Sequence, residues 1–242
     1  MARLDLELVA RGLARSRSQA QALISAGQVR VDGLVVRRAA TVVPPAAVVE
    51  ATTDRYVSRG AHKLAGALDD LDLAVPARAL DAGSSTGGFT QVLLERGARQ
   101  VVAVDVGTGQ LVEPLRSDPR VRLFEQTNLR DLTLAHVEDE PVDLVVADVS
   151  FISLTLLLRP LTAVTAPAGA LLLLVKPQFE VGRERLGQGG VVREDRLRQA
   201  AVAGVASAAA GLGWVAAATV PSRVVGESGN QEYFLLLRRD VP

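Results

Sequence analysis

Apolar residues follow three different rhythms along the chain. From Leu4 to Ala10 they recur at helical spacing and stop at Gly12; a second helical pattern, capped by Ser16 or Ser18, runs through Ile24 and closes at Gly27. Val29 to Val36 then alternates about Asp32-Gly33, the dipeptide of a tight hairpin. Two short helices and a hairpin predict a small α+β unit over residues 1–52. Pro44-Pro45 marks its approaching end, and residues 53–60 read as a linker.

From residue 61 to residue 242 the rhythm changes to short continuous apolar runs separated by helical stretches. Helices are expected at Ala61–Leu71 and Phe89–Arg96. Strands are expected at Ala77–Asp81, Val101–Asp105, Val142–Ala147, Ala170–Val175, Trp214–Val220 and Tyr233–Arg238. Strands without alternation are covered on both faces, so the pattern predicts a doubly wound, mostly parallel α/β sheet. Gln199 to Ser222 carries no charge and is long enough to span a bilayer. Its alanine content and Gly204, Gly211 and Gly213 instead predict a buried helix, a turn and a strand.

Composition removes several kinds of chemistry. The 242 residues are 48% hydrophobic and 22% charged, a core-forming balance. The absence of cysteine excludes disulfides, thiolate metal sites and thiol nucleophiles, and two histidines, His62 and His136, leave little for a Ser-His-Asp or multi-histidine centre. The zero net charge conceals an asymmetry: residues 1–63 carry ten basic against five acidic side chains, and the remainder seventeen against twenty-two. A basic head on an acidic body suggests a polyanion-binding module before a separate catalytic unit. Arginine supplies 25 of the 27 basic residues, so Lys63 and Lys176 stand out as amines able to give up a proton. Asp5 and Glu7 interrupt the region where a signal peptide needs an apolar core, so a cytoplasmic location is expected.

Candidate chemistry gathers where strands end. Asp81-Ala82-Gly83-Ser84-Ser85-Thr86-Gly87-Gly88-Phe89 follows a strand and opens a helix, the place where such sheets bind ligands. Its glycines do not follow the dinucleotide spacing; an acid before the first glycine is similar to the S-adenosylmethionine methyltransferase loop. Asp105, at the end of the next strand, is placed to hydrogen-bond a ribose diol. Asp148-Val149-Ser150-Phe151 lacks the Pro-Pro clamp of amino-methylating enzymes, and without cysteine a base carbon is a poor acceptor, which favours a hydroxyl. Lys176 ends an apolar strand, and Glu232 begins the last one.

Taken together these motifs resemble a known family. Arg3-Leu4-Asp5, Gly12 to Arg17, Gly27-Gln28-Val29 and Val31-Asp32-Gly33 resemble an S4-type RNA-binding domain. Tyr56 to Leu64, Asp81 to Thr90, Asp148 to Ser153 and Lys176 to Glu180 are similar to the FtsJ-like methyltransferases. In this order they resemble the TlyA (hemolysin A) family of ribosomal RNA 2′-O-methyltransferases. The resemblance implies a Rossmann-like seven-stranded methyltransferase sheet behind a small S4 unit. It also implies S-adenosylmethionine as cofactor and ribosomal RNA or ribosomal subunits as partner, with cytidine as the acceptor and no metal.

The resemblance further implies a Lys-Asp-Lys-Glu tetrad at Lys63, Asp148, Lys176 and Glu232. An ordinary lysine ammonium has no free electron pair; burial and a second ammonium nearby are what bring one toward neutrality. Lys176 is then the base or activator of the ribose hydroxyl and Lys63 its neighbour, with the two acids holding the amines. Gly83, Ser85, Gly87, Gly88, Phe89 and Asp105 are the implied cofactor contacts, with Asn128 near the adenine. Arg3, Arg11, Arg15, Arg17 and Arg30 are the expected RNA-binding side chains. Val181 to Arg193 is expected to be a mobile loop over the substrate. A non-catalytic assembly factor and a contact-dependent haemolysin are the competing readings.

Overall fold

A computed structural model of the chain describes residues 2–14, 16–52 and 54–240, the side chain of Arg183 excepted. The chain forms two compact units, residues 1–55 and 56–242.

The first unit is built from β1 (Ala2–Arg3), α1 (Leu4–Ala10), α2 (Arg17–Ser25), β2 (Val29–Val31), β3 (Leu34–Val35), β4 (Val42–Val43) and β5 (Val49–Ala51). Ser16 caps α2, its side chain accepting from the Gln19 N–H at 3.2 Å. Asp32 and Gly33, both at positive φ, turn the β2–β3 hairpin, and β5 pairs on the other edge of β2. Leu4, Leu8, Ala20, Leu23, Ile24, Val29 and Val43 close a separate small core.

The second unit runs α3 (Arg59–Asp70), β6 (Arg78–Ala82), α4 (Gly88–Glu95), β7 (Gln100–Val104), α5 (Glu113–Arg116), β8 (Val121–Phe124), β9 (Val142–Ala147), α6 (Leu158–Ala163), β10 (Thr165–Val175), α7 (Pro177–Glu180), α8 (Asp195–Ala210), β11 (Trp214–Pro221) and β12 (Tyr233–Arg239). Seven strands form one sheet in the order β11-β12-β10-β9-β6-β7-β8, with β12 antiparallel to both neighbours and the other pairs parallel. Alternate residues of the apolar runs face opposite layers. Leu171, Leu173, Leu235 and Leu237 pack with α6 and α8, whereas Leu172, Leu174, Phe234 and Leu236 pack with α3 and α4. Both faces are thus covered, which explains the unbroken apolar strands.

Strand order reverses between β6 and β9, where Ala82 and Ala147 are in register. Loops leaving two adjacent carboxyl ends in opposite directions open the crevice in which doubly wound sheets bind ligands. Asp148 N–H donates to Ala82 O at 3.1 Å across this point. One sequence expectation changes here: α8 is not buried all round. It begins at Asp195 and buries Ala201, Val205 and Ala209, four residues apart, while Ala203, Gly204 and Ala210 lie open. No helix among the described residues is long and apolar enough to cross a membrane.

Candidate functional site

The four tetrad positions come from four separate elements and meet at the switch point. Lys63 lies on the second turn of α3, Asp148 follows β9, Lys176 follows β10, and Glu232 precedes β12. Lys63 Nζ donates to Glu232 Oε2 at 2.6 Å, with the two side chains 11% and 2% exposed. Lys176 Nζ forms an ion pair with Asp148 Oδ1 at 2.6 Å and donates to Ser150 Oγ at 2.9 Å. All four line one cavity of about 540 Å³, a size that suits a cofactor-scale ligand. The two chain lysines are therefore each matched with one acid in one crevice.

The glycine-rich loop supplies the opposite wall. Gly83, Ser84, Ser85, Thr86, Gly88 and Phe89 line the cavity. Gly83 has φ 88°, and a Cβ there would stand 2.6 Å from Asp148 O, so the loop can cross the end of β9 only without a side chain. A Cβ on Gly88 would strike Ser58 Oγ, which lets α3 approach α4 and brings Lys63 inward. Asp81, at the end of β6, is fully buried. Its Oδ2 accepts from Thr90 Oγ1 at 2.6 Å, and Oδ1 has no partner among the described residues. Burial pushes the Asp81 carboxyl up to about 7 against the Thr90 hydrogen bonds, with the charges of Asp148 and Asp105 adding to the rise. An orphaned buried acceptor beside the loop fits a ligand that brings its own donor, such as an ammonium group.

The remaining expected cofactor residues are placed less directly. Asp105 accepts from the Ser85 N–H at 2.8 Å and the Gly107 N–H at 2.7 Å, which holds the loop from behind and leaves lone pairs free on both oxygens. Gly87 packs beneath Leu111 and Leu115, and Asn128 Oδ1 accepts from the Arg130 N–H at 3.0 Å. Neither they nor Asp105 are among the lining residues.

Three residues that the sequence motifs contain, but to which no role was assigned, act at or beside the site. Ser150 accepts from Lys176. Phe151, at φ 65° and 92% exposed, holds its ring 5.4 Å from that of Phe179 at the cavity wall. Glu180 accepts from Ser153 Oγ at 2.5 Å and from the Leu154 N–H at 2.8 Å, tying the loop after β9 to α7; burial raises its carboxyl. The position of each just beyond a strand end was the available signal. Val181 to Arg193, expected to be mobile, forms part of the wall through Leu186, Gly189 and Gly190. It is stapled there by the buried Asn230, which accepts from the Val192 N–H at 2.9 Å and donates to Gly190 O at 3.0 Å.

The candidate RNA-binding arginines have internal partners. Arg3 and Arg17 both donate to Asp5. Arg11 donates to Glu7 at 2.7 Å and to Ala47 O at 2.7 Å. Arg30 donates to Gly33 O at 2.9 Å. Arg15 lies outside the described residues.

A switch-point crevice with a glycine loop, a seven-stranded sheet and one antiparallel strand defines the class: an S-adenosylmethionine-type methyltransferase fold carrying a small second unit. Residues 56–239 match the family described as FtsJ-like methyltransferase, and residues 2–49 match the S4 domain. The 16S/23S rRNA (cytidine-2′-O)-methyltransferase TlyA of Mycobacterium tuberculosis is 53% identical over 98% of this chain and 90% of its own. A Streptococcus thermophilus protein solved under the description of a hemolysin superposes with a TM-score of 0.78 at 37% identity, covering 98% of this chain and 88% of its own. A Burkholderia thailandensis N-methyltransferase with bound S-adenosylhomocysteine shares the fold at 19% identity and a TM-score of 0.54, over 76% and 80% of the two chains. The chain belongs to the TlyA family of FtsJ-like methyltransferases.

Proposed function

We propose that the protein transfers a methyl group from S-adenosylmethionine to the 2′-hydroxyl of a cytidine in ribosomal RNA, acting in the cytoplasm. The observation that carries this reading is the convergence of Lys63, Asp148, Lys176 and Glu232 as two lysine–carboxylate pairs in one crevice beside the glycine-rich loop. When bound, S-adenosylmethionine supplies an electrophilic methyl on a positively charged sulfur. The loop from Gly83 to Phe89 and the carboxylate of Asp105 would hold the donor. Asp81 Oδ1 is the acceptor free to meet a donor ammonium. A ribose hydroxyl is a weak acid, so its oxygen attacks effectively only as its proton leaves.

Lys176, held by Asp148 at 2.6 Å and by Ser150, is the base or activator of that hydroxyl; the proton it takes goes to the lone pair of its neutral amine, and the resulting ammonium pairs with Asp148. Lys63, locked by Glu232, directs its remaining N–H groups into the crevice and orients the acceptor oxygen. The exposed Phe151 ring offers a stacking surface to a base drawn out of its own stack. The 53% identity to the tuberculosis enzyme, over 98% of this chain, supports cytidine of both subunit RNAs as the acceptor. The S4 unit supplies phosphate contacts. Incubation with labelled S-adenosylmethionine and ribosomal subunits, followed by nucleoside digestion, tests the reading: label is expected in 2′-O-methylcytidine. Label on a base, or in protein, would overturn it.

A further inference from the structure

Asp5 is an acid beside two of the arginines expected to bind a polyanion, and its side chain is fully buried. Among the described residues it accepts four hydrogen bonds. Arg3 Nε reaches Oδ1 at 3.0 Å and Arg3 Nη2 reaches Oδ2 at 3.1 Å, a bidentate fork. Arg17 Nε adds a bond to Oδ2 at 2.9 Å and Gln21 Nε2 another at 3.1 Å. Asp5 sits on α1, Arg3 just before it, and Arg17 and Gln21 on α2. One carboxylate therefore joins both helices. Its two arginines remain 44% and 55% exposed even though the acid is sealed off.

The arrangement engages Arg3 through Nε and Nη2 and Arg17 through Nε, while about half of each side chain stays exposed. Arg3 retains N–H groups beyond its fork, and Arg17 engages the acid through Nε. Two planar cations sharing one buried anion keep a net positive charge and lose their rotational freedom. A long free arginine gives up that freedom on binding a phosphate. Arg11 differs: it is matched with the half-buried acid Glu7 and with two backbone carbonyls.

We propose that Asp5 is a positioning residue for RNA, fixing Arg3 and Arg17 as a preorganised guanidinium pair that receives phosphates of the RNA backbone. This inference rests on the RNA-binding reading of the first unit given above. The pair, and not the wider set of five arginines, is the element that sets affinity. Depression of the Asp5 carboxyl well below the usual range, chiefly by its hydrogen bonds to Arg3 and Arg17, agrees with an anion that stays charged wherever RNA is bound.

The sign of one substitution separates positioning from simple electrostatics. Asp5→Asn removes a buried negative charge from beside Arg3 and Arg17, so charge alone predicts tighter RNA binding. Positioning predicts weaker binding, by about tenfold, the scale of one charge-assisted hydrogen bond. The assay is binding of the full-length chain to naked 16S and 23S ribosomal RNA, titrated at several salt concentrations, with a thermal melt of each variant. The Arg3→Lys/Arg17→Lys double variant keeps both charges without the forks and decides the matter if Asp5→Asn fails to fold; it too is expected to weaken binding about tenfold. Binding by Asp5→Asn or by the lysine pair as tight as wild type overturns the inference and leaves RNA binding intact. A wild-type chain that binds neither RNA overturns the RNA-binding reading itself.

Discussion

Replacing Glu232 by Ala strands the Lys63 ammonium in a pocket where its side chain is 11% exposed, next to a position that is 2% exposed. Breaking a buried pair from one side costs about 3–5 kcal/mol, because the desolvation of the remaining charge is no longer compensated. For a domain of this size each kcal/mol lowers Tm by about 2–4 °C, so a fall of roughly 6–20 °C is expected. Replacing both partners by apolar residues of similar volume, Lys63→Met with Glu232→Leu, removes the uncompensated charge and is expected to be neutral or stabilising. The double variant should therefore melt near wild type and still transfer no methyl. Differential scanning calorimetry and a methyl-transfer assay on the same three samples provide the test. If the single variant melts like wild type, or the double variant melts as low as the single, the buried-pair argument fails. If the double variant methylates RNA, the roles given to Lys63 and Glu232 fail.

Two further outcomes follow from the site. Asp81, raised to about 7 by burial against an ordinary value of 3.8, binds a proton more tightly folded than unfolded. Its contribution is greatest below about pH 4 and is lost as pH rises toward 7. Wild type should thus lose stability relative to Asp81→Asn across that window, read as the difference between their melts at each pH; parallel melts would refute it. Glu180→Ala frees Ser153 Oγ and the Leu154 N–H, and with them the left-handed Phe151. The expected result is a KM for RNA raised about tenfold, equivalent to ~1.4 kcal/mol, with little change in kcat; a loss confined to kcat would contradict a positioning role.

Strands buried on both faces were the plainest in the sequence, and the edge strand β11 was legible as well because Trp214 to Val220 is an uncharged run behind a glycine turn. β9, β10 and β12 read as continuous apolar runs because helices cover each side. β8 did not, since Val121-Arg122-Leu123-Phe124 lies at the sheet edge with Arg122 in the open. β4 and β5, two and three residues long, are too short to show a period. α8 looked wholly buried because alanine does not reveal which of its faces meets water.

At the site, the four tetrad positions could be named from the sequence, and their partners could not. Lys63 and Glu232 are 169 positions apart, and only the sheet order brings them to 2.6 Å. Which lysine holds which acid is a property of topology, as is the role of Glu180 in holding the loop after β9. Charge counting likewise marked out five arginines without revealing that Asp5 gathers two of them while Glu7 and backbone carbonyls occupy a third.

The proposed function turns on Lys176, held by Asp148, acting as base or activator of a ribose hydroxyl as the methyl arrives. Transfer of labelled methyl from S-adenosylmethionine to ribosomal subunits and to their naked RNA, comparing wild type with Lys176→Ala, tests it most directly. Label in 2′-O-methylcytidine is expected with wild type, with a loss of about 10²–10⁴ in rate for the variant, the range of general acid–base catalysis. Donor binding without transfer to any RNA by wild type, or an undiminished rate with Lys176→Ala, would contradict it.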